Sequence, residues 1–159
     1  MSFDQWLLAL HVVSAALLVA GMVLFWVLIV AGRNLDTPEG TLSFVPIARV
    51  GNAAVGIGMG GTILLGVVLA FSYGGYDIWD GWIIAALVLW VIGAALGQRT
   101  GAEYMKAPNK ARELQAAGQT GPNGELLALN RTSRGLLLHT LTSVAVALIV
   151  IDMIWKPGA

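Results

Sequence analysis

QWLLALHVVSAALLVAGMVLFWVLIVAG, residues 5–32, contains no Asp, Glu, Lys or Arg. A run of that length exceeds the roughly 20 residues needed to cross a hydrocarbon core as a helix. The intervals 50–76, 81–98 and 135–151 are also free of charge. Of the 159 residues, 57% are hydrophobic and 11% charged, whereas soluble domains carry about a quarter charged residues. A soluble protein with a large core would spread its charges along amphipathic faces; here they are confined to the segments between the runs. The sequence therefore predicts an all-α membrane protein, an antiparallel four-transmembrane-helix bundle forming one domain over residues 1–159. The expected helices are about 5–32, 46–73, 81–106 and 125–156, with a cytoplasmic segment at about 107–134.

Local signals refine those limits. Asp4 gives the first run an acidic flank, and the run is about twice as long as a signal-peptide core, so it reads as a retained helix. Asp36-Thr37-Pro38-Glu39 resembles a helix start in the link before the second span, and Pro46 suits that span's first turn. Gly74-Gly75 predicts its end near Tyr73, and a tight loop then reaches Asp80. Pro108 is expected to stop the third span, with a short helix at 109–117 and a Gly-rich turn at 118–124 after it. Residues 125–130 read as an extension of the fourth helix beyond the membrane. The two halves show no internal repeat of the kind found in many transporters.

Orientation follows from the basic residues. Eight of the nine Lys and Arg (Arg33, Arg49, Arg99, Lys106, Lys110, Arg112, Arg131 and Arg134) fall in the first and third links. Basic links stay in the cytoplasm, so both termini and the Asp77/Asp80 loop are expected outside. Trp6, Tyr73, Tyr76, Trp79, Trp82 and Trp155 then gather at the outer interface, where amphipathic rings prefer to sit. Zero net charge gives no footprint for nucleic acid. The absence of cysteine excludes disulfides, thiolate metal sites and cysteine nucleophiles. No serine–histidine–acid set, His-Glu-x-x-His or paired carboxylates give hydrolysis a foothold.

The residues able to carry chemistry are few. His11 shares a face with Ser14, Ala15, Leu18 and Met22, a stripe that suits either a flat cofactor or a neighbouring helix. His139 stands with Thr142 and Ser143 on a polar stripe of the fourth helix. Counted from the outer ends, the two histidines differ in depth by roughly 15 Å at helical rise, too far to share one metal. Asp152 is the one acid inside a span, with Lys156 four residues on, and Asn52 is a polar side chain within the second span; snorkelling for the first and cross-bundle hydrogen bonding for the second are the plain readings. Gly56/Gly60 and Gly58/Thr62/Gly66 form adjacent small-residue seams on the second span. Gly93 and Gly97, with Ala85 and Ala86, are expected to answer them from the third, within the bundle or in a dimer. The acids and bases of the third link suit a helix on the cytoplasmic headgroup surface or a partner-docking face.

The start Trp6-Leu-Leu-Ala-Leu-His11 with Ala20-Gly21, and the finish Asp152-Met-Ile-Trp-Lys-Pro-Gly158, resemble a family of bacterial four-helix integral membrane proteins of unknown function. That family is distantly similar to copper-resistance protein D and to the four-helix haem-binding protoporphyrinogen oxidase. The resemblance implies the four-span layout, an inner-membrane location and, by position, His11 as a haem ligand. The oxidase pattern is incomplete: Phe25-Trp26-Val27 stands where a Pro-Arg pair would follow, and the third span has no Lys. The reading that follows is an accessory or scaffold subunit in the bilayer, self-associating or part of a larger membrane complex. The alternatives are a b-type haem or metal binder using His11, with His139 as the ligand of a separate site, and a small-solute or proton-coupled carrier using Asn52, Asp152 and His139.

Overall fold

Ser2 starts the first helix through a reciprocal cap: its hydroxyl accepts from the Gln5 N–H at 3.3 Å, while the Gln5 side chain accepts from the Ser2 N–H at 2.9 Å. In the computed structural model, residues 2–72 and 77–157 are described. Tyr73, Gly74, Gly75 and Tyr76, which carried the expected end of the second span, and Gly158 lie outside the described residues. Among the described residues the chain forms seven helices: α1 Phe3–Gly32, α2 Pro38–Ser43, α3 Val45–Ser72, α4 Gly81–Tyr104, α5 Lys106–Ala116, α6 Gly124–Asn130 and α7 Ser133–Trp155. Four helical stretches are long and apolar enough to cross a membrane, built on α1, α3, α4 and α7.

Three boundaries differ from the sequence reading, each for a local reason. Pro108 acts upstream of itself, because its ring would collide with the carbonyl four residues earlier, that of Tyr104. The chain turns at Met105 and restarts as α5 with Pro108 in its first turn, so the expected helix at 109–117 begins at Lys106. The single helix expected over 125–156 is two. Thr132 interrupts it, its hydroxyl accepting from the Gly135 N–H at 3.1 Å to cap α7. In the first link, Thr37 caps a separate short helix, accepting from the Gly40 N–H at 3.3 Å with Pro38 at the first helical position.

The long helices pack as two close pairs. Along α1 and α3, Phe25 faces Gly51, Gly21 faces Gly51 and Val55, Leu18 and Ser14 face Gly58, Ser14 also faces Gly61, and His11 faces Gly66. As the α1 position falls from 25 to 11, its α3 partner rises from 51 to 66. Along α4 and α7, Gly93 meets Ala145, Gly97 meets Thr142, and the Tyr104 ring lies over Gly135. The glycine seam of α3 therefore packs on α1, and within the chain it is not met by Gly93/Gly97 of α4. The Gly56/Gly60 seam meets nothing: a Cβ at either position would have no neighbour within 4 Å. On a helix these two residues point away from Gly51 and Gly58, which already face α1.

Side chains too large for a seam join one pair to the other. Trp26 of α1 donates its indole N–H to the Ser143 hydroxyl of α7 at 3.0 Å, and Trp90 of α4 donates to the Met59 carbonyl of α3 at 3.4 Å. A cap closes one end. Its core is Ala107, Ala111 and Leu114 of α5 with Leu126 of α6, flanked by Leu42 and Leu129. The cap grips the link after α1 residue by residue. Arg131 donates to the Arg33 carbonyl at 3.1 Å and the Asn34 side chain at 2.8 Å; Asn130 donates to the Leu35 carbonyl at 2.8 Å and to the Thr41 hydroxyl at 3.0 Å. The Asn123 N–H donates to the Asp36 carbonyl at 2.8 Å. Large apolar side chains such as Val23, Val27, Ile57, Leu64, Val91 and Leu137 cover the outside of the long helices. So continuous an apolar surface suits hydrocarbon surroundings and would be an aggregation liability in water.

Candidate functional site

Both histidines sit at helix contacts. The His11 ring, half-buried, lies against Gly66, where an added Cβ would come within 3.0 Å of its Cε1, and beside the Thr62 backbone. The stripe from His11 through Ser14 to Leu18 is thus covered by α3, the occupant that competes with a flat cofactor, while Met22 lies beside His139 of α7. Ser14 turns its hydroxyl to the Leu10 carbonyl of its own helix at 2.8 Å. This satisfies the group inside the span and leaves a surface smooth enough for Gly58 and Gly61 to approach. The Nδ1 of His11 is buried with no protein partner.

His139 is only 4% exposed. It stands between the pairs, with its ring edge-on to Trp26 at 4.8 Å between centroids and to Phe25 at 6.4 Å, and beside the Met22 backbone. Its Nε2 is buried without a protein partner. Ser143, one turn on, returns its hydroxyl proton to the His139 carbonyl at 2.9 Å while accepting from Trp26. Thr142 faces the other way and meets the Thr100 hydroxyl of α4 at 3.4 Å. The polar stripe read from the sequence is therefore divided between two neighbours, with Ser143 tied to α1 and Thr142 to α4.

The two imidazoles stand at different levels of the bundle. From His11 to Met22, where His139 lies, α1 rises by roughly 16 Å. Among the described residues no group of three or more His, Asp and Glu could hold a metal ion. Asn52 is exposed on α3, on the same outward side as Gly56, so the hydrogen bond across the bundle expected of it is replaced by a position on the outer surface. Asp152 is partly buried near the end of α7, with one carboxylate oxygen buried and unpartnered. Lys156 caps α7 in the left-handed region at φ 43°, donating its N–H to the Asp152 carbonyl at 2.8 Å and placing its ammonium 5.4 Å over the Trp82 ring. Asn52, His139 and Asp152, the three residues of a carrier path, are thus on the outer face of α3, between α1 and α7, and at the end of α7.

The residues that join the elements were less visible in the sequence. Trp26, Trp90, Thr100 and Tyr104 lie in or next to apolar runs, where an aromatic or a threonine looks like filling. The signal they share is a polar N–H or O–H inside or beside a charge-free interval, a group that must find an acceptor once water is excluded. Glu103 is the acidic counterpart at the cap: its carboxylate accepts from Lys106 at 2.7 Å and from the α7-capping Thr132 hydroxyl at 3.3 Å, linking the ends of α4 and α7. Compared with family models, with curated proteins and with solved structures, the chain shows no match to any of them.

Proposed function

We propose that the chain is an antiparallel four-span protein of the bacterial inner membrane, with both termini outside, acting as an accessory or scaffold subunit. The observation that carries this reading is that the chemically able side chains of the spans are spent on helix contacts: His11 on α3, His139 on Trp26 and Phe25, Ser143 and Thr142 on the two adjacent helices. The cap adds the surface a partner would meet. It holds the basic links together on one side, as the orientation by positive charge requires, and it carries exposed acids and bases on α5 and α6. The outward face of Asn52, Gly56 and Gly60 supports self-association within the bilayer.

A second reading has a specific observation in its favour. In the tautomer that carries the proton on the other ring nitrogen, the buried Nδ1 of His11 and Nε2 of His139 each offer a lone pair to a haem iron or another metal ion, one at each level. The visible spectrum of the detergent-purified protein separates the two. The scaffold reading expects a colourless, metal-free sample; a Soret band that disappears in His11→Ala would replace it with the haem-binding one.

A further inference from the structure

The ion pairs of the cap spend its acids on lysine: Glu103 holds Lys106 at 2.7 Å, and Glu113 and Glu125 both hold Lys110 at 3.1 Å. Among the described residues none of the six arginines has an acidic partner, and Asp36 and Glu39 of the first link pair with none of them. Three of these arginines, all exposed, stand where α1 ends and α7 begins: Arg33 directly follows α1, Arg131 directly follows α6, and Arg134 is in the first turn of α7. Arg131 is held in place. Its Nε donates to the Arg33 carbonyl at 3.1 Å and its Nη2 to the Asn34 side chain at 2.8 Å, which leaves the Nη1 end free. The charges of Arg33 and Arg134 act on neighbouring residues of α4, Tyr104 and Glu103, so both guanidinium groups lie at the corner where α4 ends. Glu103 is the acid at that corner and is already engaged by Lys106 and Thr132. An excess of positive charge is left.

We infer that Arg33, Arg131 and Arg134 bind a phosphate group, that of an anionic lipid. A planar guanidinium meets phosphate oxygens with two parallel N–H donors, and basic clusters at the ends of membrane spans recognise anionic headgroups. The bonds that fix Arg131 reduce what must be ordered when the ligand arrives. The surface beside the arginines decides for a lipid over a free ion. Val30 lies one turn before Arg33 and Leu137 one turn after Arg134, both toward the apolar middle of their helices and both exposed. A phosphate seated on the arginines continues into acyl chains along those side chains, whereas a free phosphate has nothing to place there. A zwitterionic headgroup brings a second cation to the same corner and is disfavoured by like-charge repulsion. The site is the same whichever side of the bilayer the cap faces, and it is independent of whether the chain also scaffolds a partner.

Titration of the full-length protein in an uncharged detergent tests the site, with dioctanoyl phosphatidylglycerol, dioctanoyl phosphatidylcholine, inorganic phosphate and polyglutamate as separate probes and with calorimetric binding and the rise in Tm as readouts. The glycerol lipid is expected to bind saturably and more tightly than each of the other three. Inorganic phosphate binding as tightly as that lipid would keep the arginines as a phosphate site and overturn the lipid as its source. Saturation by polyglutamate alone would give the surface to an acidic protein partner and overturn the proposal, as would saturation by no probe or equal affinity for the two lipids. The side chains of Arg33 and Arg134 make no hydrogen bond or ion pair among the described residues, so Arg33→Gln and Arg134→Gln remove charge without removing a contact. Each is expected to weaken binding of the glycerol lipid about fivefold, and the double variant about 25-fold. Arg112→Gln, on the exposed face of α5, is expected to leave the affinity unchanged; an equal loss there would reduce the effect to net charge and overturn the site. Added salt should weaken binding to the parent, and an affinity indifferent to salt would overturn the arginine assignment even if a variant failed to fold.

Discussion

The α1/α3 pair and the α4/α7 pair both rest on glycine, but at different distances. A Cβ added at Gly58 would strike the Leu18 backbone nitrogen and come within 2.7 Å of the Ser14 carbonyl oxygen; one added at Gly21 would come within 3.0 Å of the Gly51 carbonyl oxygen. A Cβ at Gly93 would instead meet the Ala145 Cβ at 3.8 Å, and one at Gly97 the Thr142 methyl at 4.0 Å, both ordinary contacts. One seam is backbone against backbone and the other is side chain against side chain. In hydrocarbon, where apolar burial gives no drive between helices, close backbone approach and van der Waals contact hold a pair together. The first pair should therefore be the rigid half of the molecule and the second the more tolerant.

The largest effect expected from that contrast comes from Gly58→Ala. Backbone atoms cannot rotate aside as a side chain can, so the added methyl must push α1 and α3 apart along the whole seam. The expected loss is about 3 kcal/mol, the upper end of what overpacking costs, seen as a large fall in Tm in detergent. Gly93→Ala should stay within about 1 kcal/mol of the parent on the stabilising side, because alanine is the better helix former and has room. Gly56→Ala, which faces no neighbour, is expected to behave like Gly93→Ala. Equal losses at Gly58 and Gly93 would remove the distinction between the seams.

The next effect concerns the joint between the pairs. Trp26→Phe keeps an aromatic ring against His139 and removes the N–H that reaches Ser143; Ser143→Ala leaves that N–H without its acceptor. Each is expected to cost about 1 kcal/mol, and a double-mutant cycle should return a coupling near the roughly 0.6 kcal/mol typical of hydrogen bonds between membrane helices. A coupling near zero would mean that ring packing alone carries the joint. Both variants should leave the α1/α3 pair intact, which unchanged amide exchange along α1 and α3 would report.

How much of this was legible beforehand follows from what each feature depends on. The spans were readable because absence of charge is a local property of residues 5–32 and its three counterparts. The division of glycines was not, because helical geometry defines two stripes on α3, Gly51/Gly58/Gly66 and Asn52/Gly56/Gly60, and only the neighbouring helix decides which one is covered. Trp26 and Ser143 are 117 residues apart in the chain, a pairing that no local periodicity encodes. The break at Met105 is harder to see in the sequence, because a proline marks a stop at its own position whereas the steric effect of Pro108 falls on the carbonyl of Tyr104. Thr132 was hidden in a polar segment where hydroxyls are common and a cap has no contrast. His11 and His139 were easy to find as isolated imidazoles, but their surroundings, α3 for one and two aromatic rings for the other, come only from the fold.

The smallest effect belongs to the cap, which unlike either pair relies on charge at an exposed surface. The Lys110 ammonium donates to Glu113 of its own helix and to Glu125 of α6, each at 3.1 Å. Those two carboxylates, Glu125 first, raise the Lys110 pKa above its ordinary value. A group with its pKa raised on folding contributes stability that is complete below the unfolded-state value and is lost as pH rises through the folded one. Lys110→Met should accordingly lower Tm slightly at neutral pH, and the gap should close at strongly alkaline pH, where the parent also loses the charge. Added salt should shrink it too, since both carboxylates are exposed. Amide exchange gives the location: faster exchange confined to α6 and the end of α5 is expected, with α1 and α3 unchanged. Faster exchange along α1 and α3 would show that the cap's charges help to hold the glycine seam closed, and the two pairs would then have to be treated as one cooperative unit.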